Sequence, residues 1–509
     1  MTEEYVGAID QGTTGTRFMA FDHGGQVVAN AYARHEQHYP RPGWVEHDPV
    51  EIWERTREVI ARALSEAGID ADGLAAIGVT NQRETTVLWD AETGEPVANA
   101  IVWQDRRTTD RVEELRERGM DELIRKKTGL EIDAYFSATK IEWLLDNADE
   151  ISPDRGDGGD ARERAAAGKI LFGTVDSWIV YNLTGAHVTD VTNASRTMLF
   201  DVHELDWDEE LLAEFGVPRA MLPEVRPSSD EECYGYTDPD GFLGAEVPVC
   251  AALGDQQAAL FGQACFEDGD AKNTYGTGSF FLMHTGSQAV DSDHGLLTTV
   301  AFQRSGEPVQ YALEGSIFVT GAAIEWLQDV GLVEKPAETA ELARTVDSTD
   351  GVYFVPAFTG LGAPHWDGRA RGTVVGMTRG TERAHLVRAV LESIAFQTRD
   401  VAEAMAADAG IEMGSLRVDG GAVKNDFLCQ LQADLVGTGV VRPEVDETTA
   451  LGAAYAAGLA VGYWDTLDEL RENWQVDRRF EPDLDPAEAR RKHDRWREAV
   501  ERSLDWATE

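Results

Sequence analysis

Short apolar runs at Tyr5 to Ile9, Phe18 to Phe21 and Val27 to Ala33 are separated by polar glycine turns at Gly12-Thr13-Thr14-Gly15 and Asp22-His23-Gly24-Gly25. This pattern predicts a strand meander. From Pro49 to Ala67 the spacing becomes helical. Leu74 to Thr80, Thr86 to Trp89 and Ile101 to Trp103 then read as buried strands, each with a polar cluster at or just after its end, where α/β proteins place their chemistry. Asp146 to Gly168, rich in Asp, Gly, Arg and Ala, predicts a surface excursion. A second αβ series begins near Val247 to Asp255, continues through a helix at Gln256 to Gln263, and enters a hairpin-like stretch from Asn273 to Phe280. The domain junction is expected there, giving halves 1–263 and 264–509. His385 to Met405 carries apolar residues on one helical face at 386, 390, 394, 401 and 405, and Ser415 to Asp426 reads as strand, glycine turn, helix. The longest uncharged apolar run, Ala450 to Trp464, is interrupted by Gly452, Gly458 and Gly462 and is shorter than the roughly 20 residues that span a bilayer. It predicts a buried helix and turn, and no membrane insertion.

Length and charge sharpen this picture. A chain of 509 residues exceeds one compact core and suggests two large domains or three smaller ones. With 92 acidic residues against 45 basic ones, the formal net charge is −47, which repels nucleic acid and anionic membranes. Only eight of the basic residues are lysines, and at 42% hydrophobic the chain has ample material for a core, which opposes disorder. A folded protein adapted to molar salt is expected, because concentrated counterions screen the self-repulsion. Met1-Thr2-Glu3-Glu4 is acidic and lacks a basic-then-apolar leader, so a cytoplasmic location is expected. Cys233, Cys250, Cys265 and Cys429 show no C-x-x-C pair and no histidine at metal-ligand spacing, and are expected to be reduced and structural, with Cys429 a core thiol.

The candidate chemistry starts at the first turn. Its glycines let backbone N–H groups approach an anion, while Thr13, Thr14 and Arg17 add donors. Asp10, ending the strand, is placed to hold Mg²⁺ or the water around it. No lysine follows in the Walker position, and the G-x-G-x-x-G fingerprint of a nicotinamide-dependent dehydrogenase is missing. The theme of strand then glycine-rich turn recurs at 274 to 280 and 418 to 426. Three such turns are what a nucleotide held between two domains requires.

Their order resembles the actin-like ATPase superfamily and, within it, the FGGY carbohydrate kinases. Tyr135-Phe-Ser137-Ala-Thr-Lys140-Ile-Glu-Trp143 is similar to that family's first signature, and Gly372 to Gly376 with His385-Leu386 and Ala389 to Glu392 to its second. Asn81-Gln82-Arg83-Glu84-Thr85-Thr86, Trp103-Gln-Asp-Arg106 and Gly254-Asp255-Gln256-Gln257 are similar to the segments of its glycerol-phosphorylating members. The resemblance implies an α/β fold of two actin-like (ribonuclease H-like) domains, with a cleft for nucleotide and substrate between them. It implies ATP-dependent phosphorylation of glycerol with Mg²⁺, and a homodimer or homotetramer. Carried over by position, Arg83, Glu84, Tyr135, Asp255 and Gln256 would hydrogen-bond glycerol, with Trp103 and Phe280 covering its carbon edge. Thr13, Thr14, Arg17 and Thr277 would surround the phosphates, and Gly321, Glu325, Gly421 and Asn425 would border the adenosine. Asp255 would be the general base, and Asp10 and Asp255 the carboxylates near the metal. Read alone, Asp255 is also a fitting N-cap for the helix that follows, and Arg83-Glu84 a common surface pair. Glu325 departs from the glutamine expected of the family. So does Asp238 to Glu246, where an acid replaces the arginine that ends the fructose 1,6-bisphosphate loop of regulated bacterial members. Two rival readings remain: an FGGY kinase for a pentulose or longer polyol, and an actin-like ATPase that phosphorylates nothing small.

Overall fold

The computed structural model describes residues 4–151 and 160–507. Two mixed sheets dominate it, and they repeat one topology. In the first, Tyr5–Gly12 pairs antiparallel with Gly15–Phe21, which pairs antiparallel with Val27–Arg34. On its other side Tyr5–Gly12 runs parallel to Leu74–Asn81, which runs parallel to Pro248–Gly254. In the second, Ala271–Tyr275 and Ser279–Gly286 form a hairpin continued by Gln310–Ile317, and Ala271–Tyr275 runs parallel to Leu416–Gly420 and then Val440–Pro443. Both halves are a meander followed by parallel additions on the first strand. The fold is the two-domain α/β fold expected.

Burial explains how the strands divide their side chains. Ile9, Phe18, Ile77 and Val79 face the helices Pro49–Ala67 and Val175–Thr184, while Val6, Ala8, Met19 and Ala76 belong to a different cluster on the other face. This is the two-residue period of a sheet covered on both sides. Pro49–Ala67 begins where Asp48 accepts a bond from Val50 N at 2.8 Å and Pro49 has no N–H left to satisfy, and it ends at Gly68 in the left-handed region.

The second face of the first sheet is covered by Asp255–Gly262 and by Thr448–Ala460, a helix from the far end of the chain. The same cluster takes in Leu282, Ala301, Phe302 and Ala312 of the second sheet, so this helix pair lies between the two halves. The helices approach closely because they cross at glycines. A Cβ on Gly452 would come 1.9 Å from the Ala258 carbonyl oxygen, and one on Gly262 would come 2.0 Å from that of Thr448. The apolar run at 450 to 464 is thus a helix and turn buried in the middle of the molecule.

The structure adds partners and detail to some expected elements and corrects two of the cysteines. Val87–Asp90 and Ala100–Ile101 are strands, but they pair with Ile170–Gly173 and Glu46–His47 in small side sheets. Much of the excursion placed at Asp146 to Gly168 is helical, in Ser137–Ile151 and Ala161–Ala166, while 152–159 lies outside the described residues. Cys233 and Cys250 are joined in a disulfide, and only Cys265 and Cys429 are free thiols, both buried. Their 17-residue separation hid the pair. It forms because Gly235 stands opposite Val249 and Tyr234 N bonds to the Val249 carbonyl at 2.8 Å, bringing the flanking residues together. Among the described residues, no helix is long and apolar enough to cross a membrane.

Candidate active site

The chain turns sharply after Leu74–Asn81. Glu84 adopts φ +62°, in the left-handed region, and its carbonyl accepts bonds from Ser137 Oγ at 3.0 Å and Thr86 Oγ1 at 3.2 Å. A non-glycine residue held there costs on the order of 1 kcal/mol or more, and such strain clusters at functional sites. The turn sends Arg83 and Glu84 inward, where their side chains are each 1% exposed. They are not primarily each other's partners. Arg83 donates to Glu314 from Nη1 at 2.6 Å and Nη2 at 3.0 Å, and Glu84 accepts from Arg196 Nε at 2.7 Å. Burial raises the Glu84 pKa against the two arginines, whereas at Glu314 their charge prevails over burial and lowers it to about 2.

Asp255 stands at the mouth of this cluster, its side chain 29% exposed and its Oδ1 3.2 Å from Arg83 Nε. Gly254 holds the N-cap position, so the capping role read from the sequence is corrected. Asp255 is the first residue of the helix, and its Oδ1 accepts from Gln256 N at 2.7 Å. Burial raises its pKa, opposed by the charges of Arg83 and Lys272. Trp103 meets Tyr135 edge-on at 5.6 Å between ring centroids and Phe280 at 6.5 Å, forming an apolar wall beside Arg83. The Tyr135 hydroxyl accepts from Arg83 Nη2 at 3.4 Å. Gln256 reaches the same region, with Oε1 bonded to Lys272 Nζ at 2.5 Å. Burial lowers the Lys272 pKa to about 8.

Trp103 also ties this pocket to the first glycine turn, donating from Nε1 to Thr13 Oγ1 at 3.0 Å. Thr13 and Thr14 form the two-residue tip between Gly12 and Gly15, which are opposed in register. Gly15 admits no side chain, because a Cβ would lie 2.4 Å from the Ala33 carbonyl oxygen. Arg17 is paired with Glu447. Asp10, between these and the polar pocket, has its pKa raised to about 7, by burial first and then by the charges of Glu447 and Asp255, with Arg17 opposing.

The remaining turns meet at one edge of the second sheet. Pairing of Tyr275 with Gly420 places 420–421 beside Gly276-Thr277-Gly278. The helix Gly321–Asp329 starts on that turn, through Gly321 N to the Gly276 carbonyl at 3.1 Å and Ala322 N to that of Thr277 at 3.0 Å. Thr277, Glu325 and Gly421 are exposed at this edge. The Asn425 side chain is occupied locally. It caps Asp426–Val436 through Phe427 N at 3.0 Å and bonds Thr339 Oγ1 at 3.2 Å.

Burial first, and then the charges of Glu447 and Asp255, raise the Asp10 pKa, and a divalent ion beside Asp10 and Asp255 would favour the ionised carboxylates. Among the described residues, no group of three or more His, Cys, Asp or Glu is arranged to hold a metal alone.

Glu314, Arg196 and Lys272 escaped the sequence reading. A glutamate inside the otherwise buried strand Gln310–Ile317, and one of only eight lysines inside Ala271–Tyr275, were the available signals.

Comparison with known proteins finds matches along the whole chain. Residues 5–262 match the N-terminal domain, and 271–461 the C-terminal domain, of the FGGY family of carbohydrate kinases. The chain is 73% identical to a glycerol kinase of Haloquadratum walsbyi and 72% identical to one of Halobacterium salinarum, each match covering 100% of both chains. It is 58% identical to glycerol kinase 2 of Thermotoga maritima, over 99% of each chain. Among solved structures it is similar to Plasmodium falciparum glycerol kinase with ADP, with a TM-score of 0.91, 37% identity and coverage of 99% of this chain and 98% of that one.

Proposed function

Because the chain belongs to the FGGY family of carbohydrate kinases, we propose that it transfers the γ-phosphoryl group of ATP to glycerol, giving sn-glycerol 3-phosphate. The carrying observation is one convergence: Trp103, Tyr135, Asp255 and Phe280, from separate stretches of sequence, form one chain of contacts with the buried Arg83 and Glu84, beside the glycine turn at Thr13. A three-carbon polyol offers paired hydroxyls and little apolar area, so its recognition rests on buried donors and acceptors that a mismatched alcohol leaves unsatisfied, a discrimination of up to about 10⁴.

In this reading Arg83, Glu84, Tyr135 and Gln256 orient the hydroxyls, and Asp255 accepts the proton of the attacking one. Asp255 Oδ1 is held by Gln256 N and by Arg83 Nε, which fixes the carboxylate for that role. The phosphates are assigned to Thr13, Thr14, Arg17 and Thr277, and the adenosine to the edge bordered by Gly321, Glu325, Gly421 and Asn425. Mg²⁺, when bound near Asp10 and Asp255, supplies neutralising charge on the phosphate oxygens. The halves 1–263 and 264–509 close over both substrates and exclude water that would compete for the phosphoryl group. The reaction is placed in the cytoplasm, where ATP is available.

The test is a coupled assay of ADP production with Mg²⁺ in high-salt buffer, across glycerol, longer polyols and pentuloses. Glycerol-dependent turnover exceeding that on every other acceptor is expected. Preference for a pentulose overturns the substrate, and slow hydrolysis indifferent to all of them overturns the kinase.

A further inference from the structure

Glu314 lies on the second sheet, is fully buried, and serves residues of the first half. Its Oε2 accepts from Arg83 Nη1 at 2.6 Å, and its Oε1 accepts from Arg83 Nη2 at 3.0 Å and Arg196 Nη2 at 3.1 Å. A fork-on-fork pair of this kind fixes the plane of a guanidinium as well as its position. Arg196 then closes a ring by donating Nε to Glu84, while its Nη1 is buried without a partner. Arg83 and Arg196 thus face Glu314 and Glu84 inside the cluster, with Asp255 3.2 Å from Arg83 Nε at its mouth. The backbone at Gly254 leaves Arg83 its path, since a Cβ there would stand 2.6 Å from Arg83 Cδ.

We propose that Glu314 is a positioning residue for the polyol site: by clamping Arg83 and linking it through Arg196 to Glu84, it sets the two side chains that hold the substrate hydroxyls. The polyol pocket therefore belongs to both halves of the molecule. Glycerol affinity depends on a strand that does not follow any of the family's signature segments. The proposal rests on the glycerol reading above.

Glu314→Gln tests it. The amide offers one acceptor oxygen and turns an NH₂ toward the arginines, so Arg83 loses its fixed plane. The KM for glycerol should rise about 10–100-fold, the cost of one or two lost buried bonds. The KM for ATP should change less than about threefold, since its turns are not in the cluster. Glu314→Asp keeps the charge but shortens the reach, and should fall between the variant and wild type. A purely structural role would lower the melting temperature and leave the glycerol KM of the folded fraction unchanged, and that result overturns the proposal. Should both variants fail to fold, nitrogen-15 NMR of the wild-type arginine side chains decides. Slow rotation of the Arg83 guanidinium before glycerol is added is expected, and free rotation overturns the clamp. A wild-type enzyme that makes no ADP in response to glycerol would defeat the substrate reading instead, a result independent of the rotation measurement.

Discussion

Asp255 combines three properties that a proton acceptor needs: partial exposure at the cleft, a fixed position from Arg83 and Gln256 N, and burial that raises its basicity. Asp255→Asn keeps the size and most contacts but cannot take the proton. Turnover should drop by roughly 10²–10⁴ while glycerol binding, measured by calorimetry, persists. Near-normal turnover would remove Asp255 from the mechanism. A second residue-scale prediction concerns acid stability. His47 is fully buried, accepts at Nδ1 from Gln82 Nε2 at 3.3 Å and faces Gln37 Oε1 with Nε2 at 2.8 Å, an arrangement suited to the neutral ring. Burial lowers its pKa to about 3, with His35 and His38 adding repulsion. The unfolded chain takes up this proton below its ordinary value of about 6.5 while the folded one does not, so stability is lost as pH falls from about 6.5 toward about 3. His47→Gln can make both bonds without titrating. Its unfolding free energy relative to wild type should rise by up to about 1.4 kcal/mol per pH unit across that window. Parallel denaturation curves from pH 7 to pH 4 would refute it.

At the scale of elements, the crossing of Asp255–Gly262 with Thr448–Ala460 is the contact on which the site most depends, because the first helix begins with Asp255. Gly452→Ala places a methyl group where the Ala258 carbonyl oxygen already stands, and should cost about 1–3 kcal/mol through forced separation of the helices. Thermal unfolding should show the loss, and turnover should fall with it. An unchanged melting temperature would mean that the helices can slide apart freely. Most elements were legible beforehand because their periodicity and punctuation agree: Asp48-Pro49 opens a helix that Gly68 closes, and Gly-Thr-Thr-Gly turns one strand back on the next. Partners were less legible. Nothing local distinguishes Val87–Asp90, which joins a side sheet, from Leu74–Asn81, which lies inside the main one. The Cys233–Cys250 bond likewise follows from register across two strands.

For the whole molecule, charge and domain motion are the governing quantities. With a net charge of −47, surface carboxylates repel one another over a screening length of about 10 Å at 0.1 M salt, which shrinks to about 3 Å at 1 M. Against a folding stability of ~5–15 kcal/mol, a modest repulsion per residue is enough to tip the balance of the compact state. The melting temperature should therefore climb from dilute buffer to molar KCl, and activity with it. A flat or falling profile would give the acidic surface another purpose. Glycerol with a non-hydrolysable ATP analogue should also compact the molecule in small-angle scattering, because the proposed polyol residues lie mainly in the first half and the proposed adenosine edge in the second. No change in radius of gyration would count against closure.

The series of strands and glycine turns and the family resemblance are legible in the chain alone, since each is encoded within a few neighbouring positions, and the acidic balance is a simple sum over all 509 residues. It took the three-dimensional packing to show that Arg83 and Glu84 are bound to Glu314 and Arg196 more than to each other, that a helix from residues 448–460 completes the core of the first half, and that Gly254 rather than Asp255 caps the helix Asp255–Gly262. Glu314 is 231 positions from Arg83 along the chain, and no periodicity spans that separation. Their pairing is set by how two sheets pack on a shared pair of helices, where a buried charge must find its counter-ion or be excluded.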